Sequence, residues 1–235
     1  MPTKNILVKD SAIPFTIRQQ GNLIHYRSAI ALALATQAST DATEIAQQLA
    51  IHLQPALSQQ LIPIQNRGSG WLQFTLTERT VQPWLQQCLT PFPGLPVSFP
   101  SPEIPRSFSQ YIHHRCCRLL QLGAQANLIS LTDDARNWTN CSFAEQNLLQ
   151  PEDWRFIYQL VTTIDHLKNS YRSQRNSKLA HDLSEAFTRF HRYCRIFDCQ
   201  QTNFPEIAMM RLNLIAMAQA LLQHLSDPIV ATDDS

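Results

Sequence analysis

The stretch KLAHDLSEAFTRFHRYCRIF, Lys178 to Phe197, decides how the second half of this 235-residue chain is read. Leu179, Leu183, Ala186, Phe187, Phe190, Cys194 and Phe197 recur at steps of three and four, which is one face of a helix. Lys178, Arg189, Arg192 and Arg195 fall off that face, interleaved with His181, His191 and Tyr193. Such a helix buries its aromatic stripe in a core and leaves a basic flank beside it. The flank is either solvated or grips phosphate.

The same period runs through the rest of this half. Phe108, Tyr111, Ile112, Cys116, Leu119 and Leu120 share a face, with Gly123 as the expected stop. Pro151-Glu152-Asp153 reads as a first helical turn, with Trp154, Ile157, Val161 and Ile164 inward. A basic loop, Lys168 to Arg175, leads into the quoted helix. A last helix starts near Pro205 and carries Ile207, Met210, Leu214, Met217, Leu221, Leu222 and Leu225. Residues 108–235 are expected to form an all-α bundle with at least four long helices.

Upstream the texture changes. Prolines at 91, 93, 96, 100, 102 and 105 exclude helix and central strand, so 91–107 reads as a stiff, proline-rich linker. Residues 1–90 read as a small α+β domain, and the chain as mainly helical overall. Weak alternation in the first twenty residues suggests an edge strand or an ordered arm. Leu23, Tyr26, Ile30 and Leu34 predict a helix. Asp41 and Glu44 resemble a capping box opening a second one, through Ile45, Leu49, Leu53 and Leu57. Leu61, Ile64, Leu72, Phe74 and Leu76 suit two short strands around the turn Asn66 to Gly70, and a third helix is expected over Val81 to Leu89.

Composition narrows the function. Only five glycines occur, which disfavours glycine-rich phosphate loops. Six cysteines, at 88, 116, 117, 141, 194 and 199, form no CxxC and have no histidine at zinc-finger spacing, so buried free thiols and no metal are expected. No apolar run approaches the ~20 residues that span a bilayer. No membrane association and a cytoplasmic location are expected. Four basic residues are lysines, at 4, 9, 168 and 178, and the other fifteen are arginines, whose planar fork suits phosphate.

Positive charge is local. Between Lys168 and Arg195 seven basic residues face two acidic ones, a net +5 in a chain whose total is +1. Arg172, Arg175, Lys178, Arg189 and Arg192 are candidate phosphate contacts, with His191 and Tyr193 available to stack on an unpaired base. The competing expectation pairs these arginines with Asp153, Asp165, Glu185 or Asp198, and Arg195, beside the core, is expected in a structural ion pair. Arg67 is a further candidate contact, at the turn with Trp71 and Phe74; alternation sends 72, 74 and 76 to one face, so at least one of the two aromatics belongs to the core. Tyr111, His113, Arg115 and the Cys116–Cys117 pair have no carboxylate or base at readable spacing, so no catalytic site is expected there.

Laid end to end, the C-terminal motifs resemble the anticodon-binding domain of arginyl-tRNA synthetases, the DALR-type bundle. Tyr111, His113 and Arg115 match its Tyr-x-His-x-Arg stretch. Leu183, Ala186, Phe187, Phe190, Cys194, Arg195 and Ile196 match its Leu-x-x-Ala-Phe-x-x-Phe-Tyr-x-x-Cys-Arg-(Val/Ile) helix, with His191 replacing the tyrosine. Arg211, Leu212 and Leu214 match the Arg-Leu-x-Leu of its last helix, so the likeness covers 108–226. The N-terminal half is similar to the additional domain of the same synthetases, through Glu44-Ile45-Ala46 and Gly70-Trp71-Leu72-Gln73-Phe74. In that family this domain reaches the tRNA elbow, which suits a contact at Arg67.

Between these domains the family carries a Rossmann-type catalytic domain, and this chain has the proline linker instead. It has no His-x-Gly-His and no Lys-Met-Ser-Lys loop. The resemblance therefore implies a non-catalytic, cofactor-free protein that binds tRNA, tRNA-Arg among them, through its bundle. A retooled scaffold that binds a protein partner in a larger complex, without RNA, is the alternative. The ending Ser226 to Ser235 also departs from the family and adds Asp227, Asp233 and Asp234.

Overall fold

The computed structural model describes residues 15–59, 62–77, 79–81, 105–129, 149–169, 173–197 and 205–226. The chain divides into two compact units, Met1–Trp84 and Leu85–Ser235. Residues 91–104 of the proline-rich linker and nearly all of the expected helix from Val81 lie outside the described residues. Mainly helical, the fold has one small antiparallel sheet near its N-terminus.

The first unit holds β1 (Phe15–Gln20), β2 (Leu23–Ser28), α1 (Ile30–Ala38), α2 (Ala42–Gln59), β3 (Ile64–Asn66) and β4 (Leu72–Leu76). Its sheet order is β1-β2-β4-β3 with every pairing antiparallel. β1 is an edge strand, one of the two expected forms. The helix expected from Leu23 is corrected: Leu23–Ser28 is a strand, and the helix starts at Ile30. Gly21, at φ 57°, supplies the first loop position of a two-residue hairpin turn, and β2 folds back on β1 in full register from Gln20↔Leu23 to Phe15↔Ser28. The alternation in LIHYRS was masked because Leu23, Tyr26 and Ile30 also fit helical spacing.

Ala31, Ala46 and Leu72 form the centre of this unit, with Ile30, Ile45, Leu49, Ile64 and Phe74 packed around them. Both helices therefore cover the sheet face that carries Leu72 and Phe74. Strand register sends Thr16, Arg18, His25, Arg27, Gln65, Gln73 and Thr75 to the opposite face. The β3–β4 loop closes through Arg67 N–H donating to the Trp71 carbonyl at 2.9 Å. Gly70, at φ 80°, is needed twice over, since a Cβ there would lie 2.7 Å from the Ala42 Cβ at the start of α2.

The second unit comprises α3 (Phe108–Gln125), α4 (Pro151–Asn169), α5 (Ser173–Tyr193) and α6 (Pro205–Ser226). Trp154, Ile157, Val161 and Ile164 are fully buried, as their spacing predicts. Leu179, Leu183, Phe187, Phe190 and Cys194 form the buried stripe of α5 and its exit. Phe156 stacks on Phe190 at 4.5 Å and meets Phe187 edge-on at 6.1 Å. The central helix is nevertheless α6, not α5. It packs against the other three helices, and twelve of its residues are buried. Helices amphipathic along one stripe line a bundle, whereas one that is apolar all round fills it.

One further detail departs from expectation. Gly123 does not stop α3; it lies inside the helix, where a Cβ would come within 2.6 Å of Leu212 Cδ1 on α6. Asn127, at φ 56°, ends the helix instead, with Leu128 N–H donating to the Gly123 carbonyl and Asn127 N–H to that of Ala124. A buried ion pair joins Arg211 to Asp153. Arg211 donates from Nε and Nη2 to the two oxygens of Asp153, both at 2.9 Å, and from Nη1 to the Arg195 carbonyl at 2.7 Å. Asp153 also accepts the Gln150 N–H at 2.8 Å, closing the first turn of α4.

Candidate nucleic-acid interface

On the bundle, α3 and α5 lie side by side with Phe108 against His181, ring centroids 5.8 Å apart, and Arg115 against His191. Tyr111, Arg115 and Arg118 are exposed on the outer side of α3 at helical spacing, and Tyr111 is 48% exposed. Arg115 Nη1 donates to Tyr111 Oη at 3.2 Å, and its Nη2 reaches His191 Nδ1 at 3.5 Å. The His191 ring stacks on Phe187 at 5.8 Å and 28°. Burial first, then the Arg115 charge, holds the His191 pKa below its ordinary value, so at neutral pH the ring is flat and uncharged. A guanidinium flanked by two neutral aromatic groups can meet phosphate and base together.

Each basic candidate from the sequence has a distinct fate. Arg189 is held by Glu152, with Nε to Oε2 at 2.9 Å, and Glu152 also pairs with Arg155. Its charge is therefore shared with a carboxylate, and the partner is not one of the four acids named above. Lys178 and Arg192 are exposed and have no partner among the described residues, and Tyr193 is 58% exposed. Arg172 and the side chain of Arg175 lie outside the described residues.

The first unit carries a second basic surface. Thr16, Arg18, Arg27, Arg67, Trp71 and Gln73 line an open groove of about 410 Å³ on the sheet face away from the helices. Three guanidiniums converge there with no carboxylate among the described lining residues. Trp71 is 37% exposed, whereas Leu72 and Leu76 are buried on the helix side. Arg67 and Trp71 are brought together by the loop hydrogen bond between them. Arg18 and Arg27 went unnoticed in the sequence. Their signal was there, in polar residues at every second position of β1 and β2, but it shows only once Leu23–Ser28 is taken as a strand.

The described thiols, Cys116, Cys117 and Cys194, are all buried and offer no second chemistry. Burial, with the Asp153 carboxylate beside it, pushes Cys194 up to about 12, and burial pushes Cys117 to about 11. Among the described residues no group of three or more His, Cys, Asp or Glu is gathered to hold a metal ion, and no helix is long and apolar enough to cross a membrane. Comparison with protein-family models, curated proteins and solved structures finds no match.

Proposed function

We propose that the chain is a non-catalytic, arginyl-tRNA-synthetase-like protein that binds tRNA, and that residues 108–226 form a DALR-type bundle. The groove of the first unit carries this reading. Arg18, Arg27 and Arg67 meet an exposed Trp71 with no acid among the described lining residues, a combination that suits a polyanion with unpaired bases. The Tyr111–Arg115–His191 cluster, with Arg192 and Tyr193 next to it in sequence, supplies a second contact on the bundle, and Lys178 lies further along the same helix. Arg189 is not a leading contact, because Glu152 occupies it.

Titration with total tRNA and with tRNA-Arg over a salt series tests the reading. Binding is expected to weaken steeply with salt, and Arg18→Gln/Arg67→Gln to reduce the log–log slope by about 1.4 to 1.8. No binding at low salt, where phosphate contacts are strongest, would leave the protein-scaffold alternative standing. An aminoacylation assay is expected to be blank, and activity in it would overturn the non-catalytic part.

A further inference from the structure

Beneath the groove lies a chain of polar groups. Arg27 Nε donates to Gln73 Oε1 at 3.1 Å, Gln73 Nε2 lies 3.2 Å from His25 Nδ1, and Thr75 Oγ1 lies 3.1 Å from the same nitrogen. His25, Gln73 and Thr75 are all buried. A guanidinium has donors only, so Gln73 must turn its oxygen toward Arg27 and its NH2 toward His25. That NH2 needs a lone pair to meet, which fixes Nδ1 as an acceptor and places the imidazole proton on Nε2. One donor-only side chain thus sets an amide orientation and, through it, a histidine tautomer.

Among the described residues the charges facing the ring are all positive. β1 supplies Arg18, the register partner of His25; β2 supplies Arg27; the β3–β4 loop supplies Arg67; and β4 supplies only the uncharged Gln73 and Thr75. Burial first, then Arg27 and Arg67, holds His25 below its ordinary pKa.

We propose that His25 and Gln73 form a proton-operated latch on Arg27, which holds the guanidinium against the sheet and releases it when His25 is protonated. A protonated His25 presents N–H at Nδ1, and the Gln73 amide can meet it only by rotating its oxygen inward. The rotation points NH2 at Arg27 Nε–H, donor against donor, and the Arg27 bond is lost. Arg27 is then free for an anion in the groove. An anion among Arg18, Arg27 and Arg67 also cancels the charge that opposes the proton, so anion and proton bind cooperatively. That coupling rests on the RNA-binding reading for the identity of the anion; the latch in the empty groove does not.

Nitrogen-15 NMR of the free protein, with a short single-stranded oligonucleotide as the probe, tests this. The free protein is expected to show the Nε2–H tautomer at neutral pH and a His25 midpoint below 6.5. The Arg27 Nε–H should be protected from exchange and lose protection with that same midpoint. In Gln73→Glu, where a carboxylate accepts from both neighbours in either state, Arg27 should stay protected throughout. The oligonucleotide should raise the midpoint by about one unit and, reciprocally, bind about tenfold tighter below it than well above it. An Nδ1–H tautomer, or Arg27 exchange indifferent to His25, overturns the latch. Binding with an unmoved midpoint overturns the coupling. An oligonucleotide that binds at no pH, with the latch signals intact, overturns the RNA reading and the coupling together and leaves the latch supported.

Discussion

Asp153 and Arg211 are almost fully enclosed, at 0% and 3% exposure, and neither leaves a charge unanswered. Arg211 holds the start of α4 and the turn that follows α5 to the central helix through one guanidinium. Such a pair costs desolvation to form, yet removing one member strands the other in the core. Asp153→Ala should therefore cost about 3–5 kcal/mol, read from the urea midpoint, since it also orphans the Gln150 N–H. Asp153→Leu/Arg211→Met should lie well above the single variant in stability. A double variant as unstable as the single would mean the pair stabilises the fold rather than merely completing itself. The sequence marks Asp153 as a first-turn acid and Arg211 as a motif residue. Nothing in a separation of 58 positions announces that they meet.

At the scale of elements, α3 and α6 lie close because Gly123 leaves room for Leu212. Gly123→Ala gains about 1 kcal/mol of helix propensity but places a methyl in the space of a buried leucine, which costs about 1–3 kcal/mol. A net loss of stability is expected. Adding Leu212→Val should show positive coupling, the double variant falling short of the summed losses by at least about 0.5 kcal/mol in denaturation. Additive losses would place the strain elsewhere. This glycine shows why the long amphipathic helices were legible and their contacts were not. Period 3.6 is written into Phe187 and Phe190, whereas a glycine reads as a stop unless its neighbour across the bundle is known. β2 failed for a related reason, because six residues carry too few repeats to separate a period of two from one of three to four.

For the molecule as a whole, the local excess of positive charge between Lys168 and Arg195 could be read directly, because charge is additive along a chain. The groove could not, since Arg18, Arg27 and Arg67 come from β1, β2 and the β3–β4 loop and meet only through strand register. The site thus grew from one residue, Arg67, to a surface, while the bundle's expected contacts shrank as Glu152 claimed Arg189. Two basic surfaces on two units make a prediction that neither makes alone. A tRNA engaging both gains avidity, since the second contact forms within an already bound complex, and the gain is of order 10²–10⁴ in affinity. Arg18→Gln/Arg67→Gln and Arg115→Gln/Arg192→Gln should then each lower tRNA affinity by about a hundredfold or more. The combined variant should fall well below either pair, because each pair alone leaves the other surface's own binding intact and the combination removes both. A short oligonucleotide that fits one surface should respond only to the pair on that surface. If the surfaces act separately, each pair should change overall tRNA affinity by no more than about twofold, and titration of both pairs against both probes decides between the two.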